Sequence, residues 1–309
     1  MATRTEGDGV MGGVLVPGDD GWPTPEQIRD FDWVTLPQGT RLGTFDAPSG
    51  TLAAAEWGPA GGVPVLALPG VTGSKEDFAL VAPLLARAGY RVIAVDLAGQ
   101  YQSHAAGPKP GGRYDLALHL ADAEALLDAY GPAHLIGYSF AGVVAAQLVV
   151  RRREWVRSLT LVSAPPVAGN ALAKVRIIGP LGRVIRARGA AGLMTWGVRW
   201  NLNRTTSARY RLVSHRLRYT RPESVVDAMA ALMHVPDVED KLLVSGIPTL
   251  VTAGHGDLWT AARHRAFAER VGAQVRLYAT GHSPVETTPR QMAADVLAFL
   301  AAADAAGRA

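Results

Sequence analysis

From residue 63 to residue 300 the chain alternates short, continuous apolar runs with longer segments whose apolar residues recur at helical spacing. No other feature limits its possible folds so strongly. Runs at 63–68, 91–96, 133–137, 156–162, 249–253 and 274–278 have the length and composition of buried strands. Between and after them, 76–88, 114–130, 140–150, 261–271 and 289–300 read as helices. In 114–130, Leu116, Leu120, Ala123, Leu126 and Leu127 share one face. Alternation of this kind builds a mostly parallel sheet with helices on both faces, an α/β fold. Two further runs, 42–45 and 52–57, flank Pro48-Ser49-Gly50 and read as an antiparallel hairpin at a sheet edge.

The rhythm breaks once. Residues 167–240 read as helical, basic and punctuated by Gly and Pro, a helical cap inserted between two strands. The expected division is a partly disordered N-terminal segment over 1–40, a core over 41–166 and 241–302, the cap over 167–240, and a flexible tail over 303–309. The net charge of the chain is +4, yet residues 167–236 hold twelve Lys or Arg against two acids, Glu223 and Asp227. That stretch alone is +10 and the remainder −6. A solvated, Arg-rich lid explains this charge, since such side chains also cover apolar surface with their stems. The sharper expectation is an attraction for something acidic, such as an anionic substrate, an acyl-carrier or coenzyme A moiety, or an anionic membrane surface. No recognition motif accompanies the charge, so nucleic acid is not an expected partner.

Cysteine is absent, which excludes disulfides and thiolate metal sites. No apolar run reaches membrane-spanning length, and the first twenty residues do not read as a secretory signal. A cytoplasmic protein is expected.

One strand-to-helix junction carries the chemistry. Gly137-Tyr138-Ser139-Phe140-Ala141-Gly142 joins the run at 133–137 to the helix at 140–150. A sharp turn there lifts a side chain out of the sheet at a helix N-terminus, and needs small neighbours such as Gly137, Ala141 and Gly142. Taken alone, Ser139 also fits an ordinary helix N-cap. A serine hydroxyl needs a base to become a nucleophile. Thr280-Gly281-His282 follows the last strand, at the sheet edge where ligands of α/β folds bind. Of eight histidines only His282 has such a position: His119 falls inside a helix, and His104, His134, His215, His234, His255 and His264 lack a comparable site at the end of a strand. A neutral histidine needs a carboxylate to fix its tautomer, and Gly254-His255-Gly256-Asp257 follows the preceding strand. The loop after Val162 (Ser163-Ala164-Pro165-Pro166) offers no carboxylate. The catalytic expectation is Ser139, Asp257 and His282. Leu68-Pro69-Gly70-Val71 follows the first buried strand, and Gly70 allows close backbone approach. The amides of Val71 and Phe140 are the expected oxyanion donors. Pro69, Gly70, Tyr138, Trp196, Trp200 and Trp259 are candidates for lining the substrate pocket. Trp196 and Trp200 are four residues apart and could share a helix face.

With these segments in order, the chain resembles the α/β-hydrolase superfamily over roughly residues 42–300. The matching parts are the loop at 68–73, the run Val92-Ile93-Ala94-Val95-Asp96-Leu97-Ala98-Gly99, the serine turn, and the acid and histidine loops. The resemblance implies an eight-stranded, mostly parallel sheet, flanking helices and a lid over the site. It departs from the family at Pro69-Gly70, where His-Gly is usual, at Gly99-Gln100-Tyr101, where Gly-His-Gly is usual, and at Ala141, where the elbow usually has Gly. Residue 139 is Ser, not Asp, unlike the haloalkane dehalogenases and epoxide hydrolases of that fold.

The expected activity is hydrolysis of a small-molecule ester, thioester or lactone through an acyl-enzyme, with no cofactor and no metal required. Two alternatives stay open: a cofactor-free perhydrolase or haloperoxidase-like enzyme, and a non-catalytic binding protein on the same fold.

Overall fold

The computed structural model describes residues 31–176, 184–200 and 206–307. The expectations for the first thirty residues, and the cap arginines Arg183 and Arg204, lie outside the described residues.

Eight strands form one sheet: β1 (Arg41–Ala47), β2 (Gly50–Trp57), β3 (Pro64–Leu68), β4 (Arg91–Val95), β5 (Ala133–Tyr138), β6 (Val156–Val162), β7 (Thr249–Gly254) and β8 (Gln274–Tyr278). Their spatial order is β1-β2-β4-β3-β5-β6-β7-β8. β2 runs antiparallel to both its neighbours, and from β4 to β8 every pairing is parallel. The eight-stranded, mostly parallel sheet implied by the resemblance is present, with the hairpin at its edge.

Side chains alternate across a strand, so each central strand feeds two cores. Leu66, Leu68, Ile93, Val95 and Leu135 face one way, onto α2 (Leu116–Tyr130) and α3 (Phe140–Arg151). Val65, Ala67, Val92, Ala94 and Ile136 face the other way, onto α1 (Ala82–Arg87) and α10 (Pro289–Ala306). α2 starts two residues later than Tyr114 because Asp115 caps it, its carboxylate accepting the Leu118 amide at 3.0 Å.

The helix expected over 76–88 is broken. A 3-10 turn covers Lys75–Phe78, and α1 starts only at Ala82. Pro83 fits a first helical turn and not a helix interior. The turn also points buried charges at distant partners. Lys75 donates its Nζ to Gln102 at 2.7 Å and lies 3.3 Å from Asp96 and 2.8 Å from Glu76. Burial raises the Asp96 carboxyl to about 7, against the pull of Lys75.

Between β6 and β7 lie α4 (Ala187–Arg199), α5 (Ser207–Tyr219), α6 (Pro222–Leu232) and α7 (Glu239–Ser245). Two of the basic residues here are not solvated: Arg209 and Arg216 are buried and bound to Asp77. After β7 come α8 (Ala261–Arg270) and, beyond β8, α9 (Pro284–Thr287). α10 continues through Ala306, past the point where a flexible tail was expected to begin, because Val296, Phe299, Leu300 and Ala303 keep packing on the core.

His119 on α2 is buried with neither ring nitrogen hydrogen-bonded, edge-on to Phe140 at 5.4 Å. Burial outweighs the nearby Asp115 and Asp227 and depresses its pKa from 6.5 to about 4. The unfolded chain therefore takes up this proton first as pH falls. The stabilisation is complete above about pH 6.5 and drains away toward pH 4, by on the order of 3 kcal/mol. His119→Leu is expected to flatten the dependence of the unfolding midpoint on pH across that window. An unchanged slope contradicts the assignment.

Candidate active site

β5 ends at Tyr138 and α3 begins at Phe140, leaving one residue to make the turn. Ser139 makes it with φ 52° and ψ −117°, a backbone region that a residue with a Cβ rarely occupies. Such strain costs about 1–3 kcal/mol and persists only where the surroundings enforce it. Here the Ser139 amide donates to Val162 O at 2.8 Å, and the Gly142 amide donates to Ser139 O at 2.9 Å. The neighbours must be small. A Cβ on Gly137 would lie 2.6 Å from Ala141 O and 2.8 Å from Ala145 Cβ, and one on Gly142 would collide with Ala164. Ala141 itself fits, fully buried.

The turn aims the Ser139 hydroxyl at the histidine loop: Oγ lies 3.1 Å from His282 Nε2. On the other side of the ring, His282 Nδ1 lies 2.5 Å from Asp257 Oδ1. The two loops carrying these residues are zipped together. The His255 amide donates to Tyr278 O and the Gly256 amide to Thr280 O, each at 2.8 Å. Gly254 has no room for a Cβ because the carbonyls of Thr280 and Gly281 lie against it. Asp257 is 2 % exposed. Burial pushes its carboxyl upward, but hydrogen bonding and charge from His264 and His282 prevail and hold it well below the ordinary carboxylate range. It is ionised at neutral pH. A carboxylate can only accept, so His282 must carry its proton on Nδ1 and present a bare Nε2 to the serine.

Gly70 closes the site from the third side. A Cβ there would sit 3.0 Å from Ser139 Cβ, so the buried Pro69-Gly70 loop runs directly against the serine. Val71 follows it, partly buried, and Phe140 opens α3, where the helix itself cannot satisfy the first amides. Among the described residues no backbone acceptor is assigned to either amide. Among the described residues no cluster of three or more potential metal-ligating His, Asp or Glu side chains occurs.

The remaining pocket candidates separate. Trp259 is buried beside the histidine, its ring 6.0 Å from that of His282 and its indole N–H donating to Ala171 O at 3.0 Å. Tyr138 is buried beneath the histidine loop, its hydroxyl donating to His282 O at 3.2 Å and sharing a 2.7 Å bond with Ser283 Oγ. It acts as a strut for that loop. Trp196 and Trp200 are 51 % and 67 % exposed on and just after α4, because the inner side of that helix is filled by Ala190 and Ala191. A narrow apolar cleft lies beside α3 and is lined by Gly142, Val143, Ala146, Leu161, Val235 and Phe267.

His264 was passed over in the sequence because it has no site at the end of a strand. It is fully buried on the first turn of α8, with Nε2 3.0 Å from Asp257 Oδ2. Asp257 thus lies between two imidazoles. The available signal was the short spacing, a histidine on the first turn of the helix that follows the acid loop.

A family model described as alpha/beta hydrolase fold matches residues 63–285. A protein of Variovorax paradoxus named "Putative carbamate hydrolase RutD" is 28% identical over 263 residues, 81% of this chain and 96% of that one. The "Non-heme chloroperoxidase" of Streptomyces lividans is 36% identical over 132 residues, 41% of this chain and 46% of the relative. Among solved structures, one from a study of carboxylesterases of Nitrososphaera gargenis superposes with a TM-score of 0.68 at 20% identity, covering 85% of this chain and 99% of the other. A thermophilic esterase from Thermogutta terrifontis gives 0.64 at 20% identity, with the same coverage of both chains. At such identities the structural likeness concerns the fold.

Proposed function

The chain belongs to the α/β-hydrolase fold family, and from that premise we propose that it is a serine hydrolase cleaving an ester, thioester or lactone through an acyl-enzyme intermediate. The observation that carries this reading is the unbroken contact from Ser139 Oγ to His282 Nε2 and from His282 Nδ1 to Asp257. In it, His282 takes the serine proton as Oγ attacks the substrate carbonyl. The amides of Val71 and Phe140 hold the oxyanion, and His282 returns the proton to the departing alcohol or thiol. Water then repeats the sequence against the acyl group and frees Ser139. Asp257 keeps the imidazole in its tautomer and stabilises the imidazolium. The core in this reading is 41–166 with 241–302, and the helices between β6 and β7 serve as its lid. A cytoplasmic location belongs to the proposal, supported by the cysteine-free sequence. Among the described residues no helix is long and apolar enough to cross a membrane.

A panel of short and long acyl esters, thioesters and lactones tests the reading. Hydrolysis of at least one class with saturation is expected, and inertness toward all three contradicts it.

The chloroperoxidase relative favours one second reading, in which hydrogen peroxide instead of water takes the acyl group from Ser139 and a peracid leaves. The peracid oxidises added bromide to hypobromous acid, so the reading predicts bromination of a reporter that needs peroxide, bromide and a carboxylic acid. Halogenation without the acid removes it.

His264 yields a further expectation. If it steadies the carboxylate that orients His282, His264→Leu lowers kcat by about 10- to 100-fold with KM nearly unchanged, by analogy with other supporting groups. His264→Gln, which keeps a polar group beside Asp257, recovers part of the loss. Equal kcat in the Leu variant and the wild type contradicts the role.

A further inference from the structure

α4 is a helix with two unlike sides. Ala190 and Ala191 are buried and Met194 packs on the core, so the inward side is complete. Leu193, Trp196 and Trp200, spaced three and four apart, form one stripe on the outward side and are 38 %, 51 % and 67 % exposed. Two tryptophans left more than half exposed gain little from folding, and contiguous exposed apolar surface of this kind marks an interaction site. Basic residues border the stripe. Arg188 and Arg199 are exposed on the same helix and Arg186 is exposed at its N-cap. Among the described residues none of the three has a carboxylate partner. From Val184 to Trp200 there is no acidic residue.

We infer that this face of α4 docks on an anionic lipid–water interface. Trp196 and Trp200 enter the headgroup layer while Arg186, Arg188 and Arg199 meet the lipid phosphates. Indole rings favour such a boundary because they are broad and apolar with one polar N–H. Guanidinium groups beside them match an anionic surface, the arrangement of an interfacial helix. A second copy of the chain fits less well, since pairing the two faces would bring their arginines together. The inference does not depend on the hydrolase reading, because docking needs no reaction at Ser139.

Co-sedimentation of the full chain with phosphatidylcholine vesicles, with and without phosphatidylglycerol, tests it. Binding is expected to the mixed vesicles only, with a blue shift of tryptophan fluorescence and weakening as salt rises. Trp196→Ala with Trp200→Ala, and separately Arg188→Glu with Arg199→Glu, should each reduce binding about tenfold or more while leaving the unfolding midpoint unchanged. Ser139→Ala should bind like the wild type. Failure to pellet with mixed vesicles overturns the inference, as does equal binding by the tryptophan variant. So does a tryptophan variant that changes the oligomeric state in solution while vesicle binding persists.

Discussion

Ser139→Ala is expected to lower turnover of an activated ester by about 10⁴- to 10⁶-fold, because nucleophile, base and acid act as a unit and removing one removes most of what all three supply. The substitution deletes one buried-edge oxygen and keeps the Cβ, so the constrained backbone at φ 52° stays as it is and the unfolding midpoint should hardly move. Ser139→Gly separates the two properties. Glycine relieves the left-handed strain, so this variant should be as inactive as the alanine variant and more stable, by about 1 kcal/mol. Turnover within tenfold of wild type for the alanine variant contradicts the proposed role of Ser139.

The second large effect concerns stability. Arg209 reaches from α5, between β6 and β7, into the core. Its guanidinium lies 2.6 Å from Asp77, pairs closely with Glu286, and sits 4.5 Å over the ring of Trp33. Arg216, two turns along the same helix face, lies 2.7 Å from Asp77 and donates to Ser74 at 3.1 Å. All four charged groups are buried. Burial works against ionisation of Asp77, yet the two guanidiniums hold its carboxyl below the usual range. Burial, with the charge of Asp77 beside it, pushes Glu286 upward. Removing one partner of such a set leaves an uncompensated buried charge, which costs about 3–5 kcal/mol. Arg209→Met should destabilise by that amount in chemical denaturation at neutral pH, and adding Glu286→Gln should restore part of it. Glu286 lies four residues beyond His282, so ester turnover should fall in the single variant as well. A loss under about 1 kcal/mol means the cluster is solvated and the account of it fails.

Those two expectations draw on different kinds of information. The residues that meet at the serine were visible in the chain because each sits at a strand end marked by glycine. The bounds of β6 and β8 agree with the apolar runs at 156–162 and 274–278, where short apolar stretches lie between turn signals. The Arg209 cluster was not visible. Residues 77, 209, 216 and 286 share no local pattern, and Asp77 looked like part of an ordinary helix until tertiary partners broke that helix at Phe78. His264 was hidden for the same reason, since a polar residue on a helix is usually solvated and only its packing against the acid loop buries it. α7 (Glu239–Ser245) was missed because seven residues beside a cap boundary carry too little periodicity. The tryptophans of α4 were misjudged by type. Large aromatics are usually buried, and only the small residues on the inner side reveal that the helix turns them outward.

The central claim is that Ser139 is an activated nucleophile, and covalent labelling by a fluorophosphonate tests it most directly. Intact-mass and peptide analysis of the wild type should find one adduct, on Ser139. The adduct should be missing in Ser139→Ala and form far more slowly in His282→Ala. A wild-type protein that takes up no label, or one labelled equally well after Ser139 is replaced, would contradict the account.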